Sequence, residues 1–228
     1  MRVRIPRPLK GWRVFAGEVG TILVGVLLAL GAQELVQGLH WKREVKETRK
    51  ALDAELARDL AAFDYRFVQR PCIAKRLTEL SRWAESHRSG TPLNLKKEIQ
   101  PPPGFETRSA VWEVTDGEIA TRIPLQPKLS YATLYDSMKS FSELKDSEEE
   151  QWIVLLQFQN SRRLEEADLQ TVENAIRLLG AMNEVLAGYR IVIDKSAAEL
   201  KITPDKDIEA RSGPIIVKWN REICKPLL

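Results

Sequence analysis

From Val19 to Ala32 the chain carries no charged residue (VGTILVGVLLALGA), and beyond that run apolar positions recur every three or four residues, the spacing of helices with one buried face. Val14 to Gly17 extend the run on one side of Glu18, and Leu35, Val36 and Leu39 extend it past Gln33 and Glu34. Next come Val45, Leu52, Leu56, Leu60, Phe63 and Phe67, with Lys46, Arg49, Lys50, Asp53 and Arg58 opposite them as a solvated face. Pro71 breaks or kinks this helix, and Ile73, Leu77, Leu80 and Ala84 mark a second one ending near Ser89 and Gly90.

Residues 91–108, with Pro92, Pro101, Pro102, Pro103 and Gly104, read as a loop. A short segment from Ala110 to Val114 follows, with Trp112 as a core anchor and Asp116-Gly117 as a closing turn; Pro124 and Pro127 delimit the next connection. Leu129, Leu134, Met138 and Phe141 predict one helix. Ser147 with Glu150 predicts a capping box opening another, which carries Trp152, Leu155, Leu156 and Phe158. Leu169, Val172, Ile176, Leu179, Met182, Leu186, Tyr189 and Ile193 trace a long third helix, reaching Leu200 before Thr203 and Pro204. The tail holds Ile215, Ile216, Val217 and Trp219, a short extended run.

These elements predict an all-α chain: an N-terminal transmembrane helix continuing into a stalk, followed by a helical bundle. The expected divisions are a basic leader (1–13), the span (14–36), the stalk and second helix (37–90), the Pro-rich loop (91–108), the bundle (109–203) and a tail (204–228). A span needs about 20 largely apolar residues to cross ~30 Å of hydrocarbon. Trp12 and Trp41 bracket the stretch as interfacial anchors, roughly 43 Å apart along a helix, close to a bilayer with its headgroup zones. Gly17, Thr21, Gly25 and Ala29 recur every four positions, a small-residue stripe through which such helices pack closely. The expected partners are therefore the lipid bilayer and, through this stripe, a second copy or another membrane protein. The alternatives are a cleaved signal peptide, whose basic leader and small pair Ala29 and Gly31 this segment imitates, and an ordinary buried helix.

Charge bears on orientation. The net charge is +3, and Arg2, Arg4, Arg7, Lys10 and Arg13 against the single acid Glu18 more than account for it. The remainder is near neutral, unlike a nucleic-acid binder. A basic leader ahead of a large domain places the amino terminus in the cytoplasm and the bundle outside it. Cys72 and Cys224 lie in the outer part, where they either pair or remain two thiols.

No catalytic residue, cofactor site or metal site emerges. His40 and His87 are the only histidines, the second read at a polar helix end, and no zinc, phosphate-loop or nucleophile-elbow pattern is present. The acids Glu148, Glu149 and Glu150, and Glu165, Glu166 and Asp168, are read at helix starts, where the dipole favours them. Trp83, Trp112 and Trp152 are read as core residues.

Gly17-Glu18, the apolar run with Gly25 and Ala29-Leu30, then Gln33, Trp41 and Glu55 to Leu60, resemble uncharacterised bacterial single-pass membrane-anchored proteins over about the first 60 residues. Those proteins usually carry Asn-Trp where this chain has His40-Trp41. The resemblance implies a bacterial envelope setting and supplies no activity. The leading expectation is thus a membrane-tethered, non-enzymatic interaction or scaffolding protein at the outer face of the inner membrane. A ligand-sensing bundle that signals through a membrane partner is the second, and an enzyme assembled from scattered carboxylates the third.

Overall fold

The computed structural model describes residues 11–115, 117–208, 218 and 221–228, and only the backbone of Glu118. Arg2, Arg4, Arg7, Lys10, Asp116, Ile215, Ile216, Val217 and Trp219 lie outside the described residues. The fold is all-α, with no strand among the described residues. Its helices are α1 (Trp12–Val68), α2 (Arg70–Arg88), α3 (Ala110–Val114), α4 (Gly117–Arg122), α5 (Leu125–Phe158) and α6 (Glu166–Leu200). The chain divides into two units, Met1–Thr48 and Arg49–Leu228.

The first unit contains the N-terminal part of α1. The helix contains no Pro, and Gly17, Gly20, Gly25, Gly31 and Gly38 stand singly, so none of them stops it. Its most apolar 18-residue window has a mean hydropathy of 2.1 and no buried residue, so it is long and apolar enough to cross a membrane.

In the second unit, α1 turns Leu52, Leu56, Leu60 and Phe63 inward, at helical spacing, and all four are buried. Pro71 acts as the sequence indicates. Gln69 caps α2, Pro71 occupies its first turn where no N–H is needed, and Ile73, Leu77, Leu80 and Ala84 are buried. Gly90, at φ +77°, ends that element in the left-handed region that glycine enters without penalty. Helices α5 and α6 pack along one another, and α6 also packs on α2. A reciprocal box opens α6: the Glu165 side chain accepts from the helix backbone while the Glu165 N–H donates to Asp168 Oδ2 at 3.1 Å. Its far end closes at Lys201, in the left-handed region, with the Ile202 N–H reaching Ala197 O at 3.0 Å.

Several expectations are corrected. The helices read separately around Phe141 and Trp152 are one helix, α5: Ser147 is no cap, and its Oγ donates to Glu143 O one turn back at 3.0 Å. The chain there lacks Gly and Pro, so the acidic stretch does not interrupt it, and Glu148 to Glu150 stand mid-helix. Helix α4 was not expected from the sequence. Trp112 is only half-buried, stacked on Tyr135 with ring centroids 5.0 Å apart, whereas Trp83 and Trp152 are core residues. His87 stands in the last turn of α2, at the helix end as read, but its ring is buried, edge-on to Trp83 at 5.0 Å. Of the five residues read as the solvated face of α1, Lys46 and Lys50 are exposed, whereas Arg49, Asp53 and Arg58 are half-buried.

Candidate functional site

Among the described residues, polar groups meet at several places, of which the first is a buried ion pair. Arg66 of α1 donates to Glu148 of α5 through Nη2 (2.6 Å) and Nε (2.9 Å), with both side chains almost without exposure. Asn183 of α6 lies 3.5 Å from Arg66 Nη2, and the Trp152 indole N–H points at Glu148. Bidentate charge-assisted bonds in a dry interior fix three helices in one register.

The second is a carboxylate–tyrosine cluster where α1 faces α5. The Tyr131 hydroxyl donates to Asp53, and the Tyr135 hydroxyl to Glu55 at 2.8 Å. Glu55 also accepts the Val111 N–H, and Asp59 accepts the Arg108 N–H at 3.0 Å. Burial lifts the Asp59 pKa to about 7, against the opposing pull of that N–H. Burial, then the bond to Asp53, raises Tyr131 to about 12, so it stays a donor. Each of these carboxylates is used to anchor the segment 108–111 or a tyrosine.

The third place lies on α2, where two segments distant in sequence cross it. Cys72 and Cys224 form a disulfide with Cα atoms 4.7 Å apart. From that point the C-terminal segment 221–228 lies on α2, with Ile223 and Leu227 buried among Ile73, Leu77, Leu80 and Trp83. Polar bonds hold it along its length. The Leu227 N–H donates to Glu79 Oε2 (2.7 Å), the Lys96 N–H donates to Leu227 O (2.7 Å), and Glu222 pairs with Lys97 (2.5 Å) and Lys225. Those two lysines, Lys225 foremost, hold the Glu222 carboxyl down at about 2.

Two hollows flank this crossing, and Lys97 and Glu98 line both. The larger, about 530 Å³, lies between the loop 92–98 and the connection 159–162, with Trp83 and His87 in its wall. Burial lowers the His87 pKa, and its Nδ1 is buried without a partner. The smaller, about 310 Å³, has Arg76, Lys97 and Lys218 in its wall.

No family model, curated protein or solved structure matches this chain. The reading of its function therefore rests on its own geometry.

Of the residues singled out in the sequence, Gly17, Thr21, Gly25 and Ala29 are all exposed on α1, and the Thr21 hydroxyl donates to Gly17 O at 3.0 Å. Trp12 is exposed and edge-on to Phe15; Trp41 is half-buried beside His40. Among the described residues no group of three His, Cys, Asp or Glu side chains is placed to hold a metal ion. The sequence reading missed Arg66, Arg76 and Asn183, and it misassigned Glu148. Their signal is a polar residue in the apolar register: Glu148 stands seven after Phe141 and four before Trp152, and Asn183 four after Leu179.

Proposed function

We propose that this chain is a single-pass, membrane-tethered interaction protein without enzymatic activity, its helical domain lying at the outer face of the bacterial inner membrane. The observation that carries the tether is the uncovered apolar segment of α1. Ile22, Leu23, Leu27, Leu28 and Leu30 are each more than half exposed among the described residues. Left in water, each such side chain forgoes roughly 1.5–3 kcal/mol of burial, which a lipid environment restores.

Orientation follows from the bases of the leader, which favour the cytoplasmic side. The Cys72–Cys224 disulfide supports an oxidising compartment for the domain. The bacterial setting draws on the resemblance of the first 60 residues. A non-enzymatic role is supported by the carboxylates Asp53, Glu55 and Glu148, each bound to donors of its own chain.

Alkaline carbonate extraction of membranes, followed by protease treatment of intact cells and spheroplasts, tests this reading. The expected result is a pellet-bound protein whose domain is digested only once the outer barrier is opened. Release into the carbonate supernatant, or a mature chain starting near Gln33, overturns the tether. Crosslinking in intact membranes then identifies the partner.

A further inference from the structure

Arg76 on α2 holds a charge in a place that gives it little compensation. The side chain is 4% exposed, and among the described residues no carboxylate lies within ion-pair distance of it. Its Nη2 donates to two main-chain carbonyls, Glu222 O (2.9 Å) and Lys225 O (3.3 Å), while Nε is buried without a partner. Glu79 and Glu222 attract it from further off, but desolvation outweighs them and weakens its hold on the proton. A buried, unpaired donor on a charged group is costly, and in native proteins it points to an absent water or ion.

The surroundings favour an anion. Arg76 lines the cavity of about 310 Å³, and Lys97 and Lys218 stand in the same wall. Two acids line it as well. Glu222 has each carboxylate oxygen bound to a lysine, to Lys97 and to Lys225, and Glu98 is exposed. At about 30 Å³ per water molecule the space is ample for a phosphate or a small carboxylate. With Nη2 spent on the two carbonyls, Arg76 offers such a group its remaining N–H donors and its charge.

We propose that this cavity binds a small soluble oxyanion, a phosphate or carboxylate group, with Arg76 as its central ligand and Lys218 as a flanking charge. The site goes beyond tethering and interaction, and its test is independent of them, since a chain that fails carbonate extraction can still bind phosphate and an anchored one can fail to.

The full chain in phosphatidylcholine nanodiscs is melted, followed by tryptophan fluorescence, in sodium chloride, sodium phosphate and sodium acetate at matched ionic strength. Phosphate or acetate is expected to raise Tm saturably above chloride. Arg76→Met abolishes that rise, and Lys218→Met shifts its half-saturation several-fold upward. Equal Tm in all three salts overturns the proposal, as does an unchanged response in Lys218→Met, the variant that decides if Arg76→Met does not fold. A final arm uses nanodiscs containing phosphatidic acid. If these raise Tm by themselves and phosphate then adds nothing, the occupant is a lipid headgroup and the soluble ligand is overturned.

Discussion

Arg66 and Glu148, 82 residues apart in sequence, meet as a bidentate ion pair sealed from water between α1 and α5. Removing one partner leaves the other charged and buried, which costs about 3–5 kcal/mol. Glu148→Ala and Arg66→Ala are each expected to lower stability by that amount in urea titrations. The double replacement Arg66→Met with Glu148→Leu is expected to lose far less, because no charge is left behind. Single variants no worse than the double would show that the pair is not desolvated in solution.

The disulfide gives a second expectation. Cys72 and Cys224 are separated by 152 positions, and in the chain-entropy account a loop of that length contributes about 5 kcal/mol. Alkylation without reductant is expected to modify neither cysteine. Dithiothreitol, or Cys72→Ser with Cys224→Ser, is expected to lower Tm substantially. Labelling of both thiols in freshly isolated protein would contradict the pairing.

A third concerns pH. The Asp59 carboxyl, at about 7 in the fold against an ordinary 3.8, takes up its proton more readily folded than unfolded. Its contribution to stability is therefore complete below about pH 4 and lost as pH climbs through about 7. Asp59→Asn keeps an oxygen for the Arg108 N–H while removing the charge. It is expected to melt higher than the parent near pH 8, by about 2–8 °C for a gain of about 1–2 kcal/mol, and to match it near pH 4. A variant as sensitive to pH as the parent would acquit Asp59.

The small-residue face of α1 is tested by Gly25→Leu. A Cβ at Gly25 meets nothing within 4 Å in the chain itself, so the substitution is tolerated by the monomer. A weaker signal in a membrane two-hybrid assay would then report lost association. Leu27→Ala, about 200° round the helix, is the control expected to leave the signal intact. Equal signals from all three proteins would reject a packing role for this face.

How legible all this was in the sequence depended on how uniform each stripe is. Leu52 to Phe63, Ile73 to Ala84 and Leu169 to Ile193 keep their apolar spacing despite the buried Asp59, Arg76 and Asn183 among them, and their helices stand where the spacing puts them. Helix α5 was split because Ser147 and Glu150 imitate a cap, while Glu148, the residue that interrupts the stripe, is satisfied by Arg66. That partner lies on another helix, beyond the reach of local pattern. The Arg76 cavity was hidden for the same reason: its walls come from α2, the Pro-rich loop and residues near the C-terminus, 146 positions from Arg76 in the case of Glu222. Trp112 was misjudged because an aromatic residue can spend one face on a neighbouring ring and leave the other open.

Because Cys72 and Cys224 are bonded, everything from the Pro-rich loop through α6 belongs to one covalent ring. A protease that nicks the chain once between those cysteines opens the ring without releasing a fragment. The cut molecule keeps its mass on a non-reducing gel and falls into two pieces only in reductant. Cleavage at the loop 91–108 would therefore leave α6 still fastened to the part of the chain that holds α1 and α2.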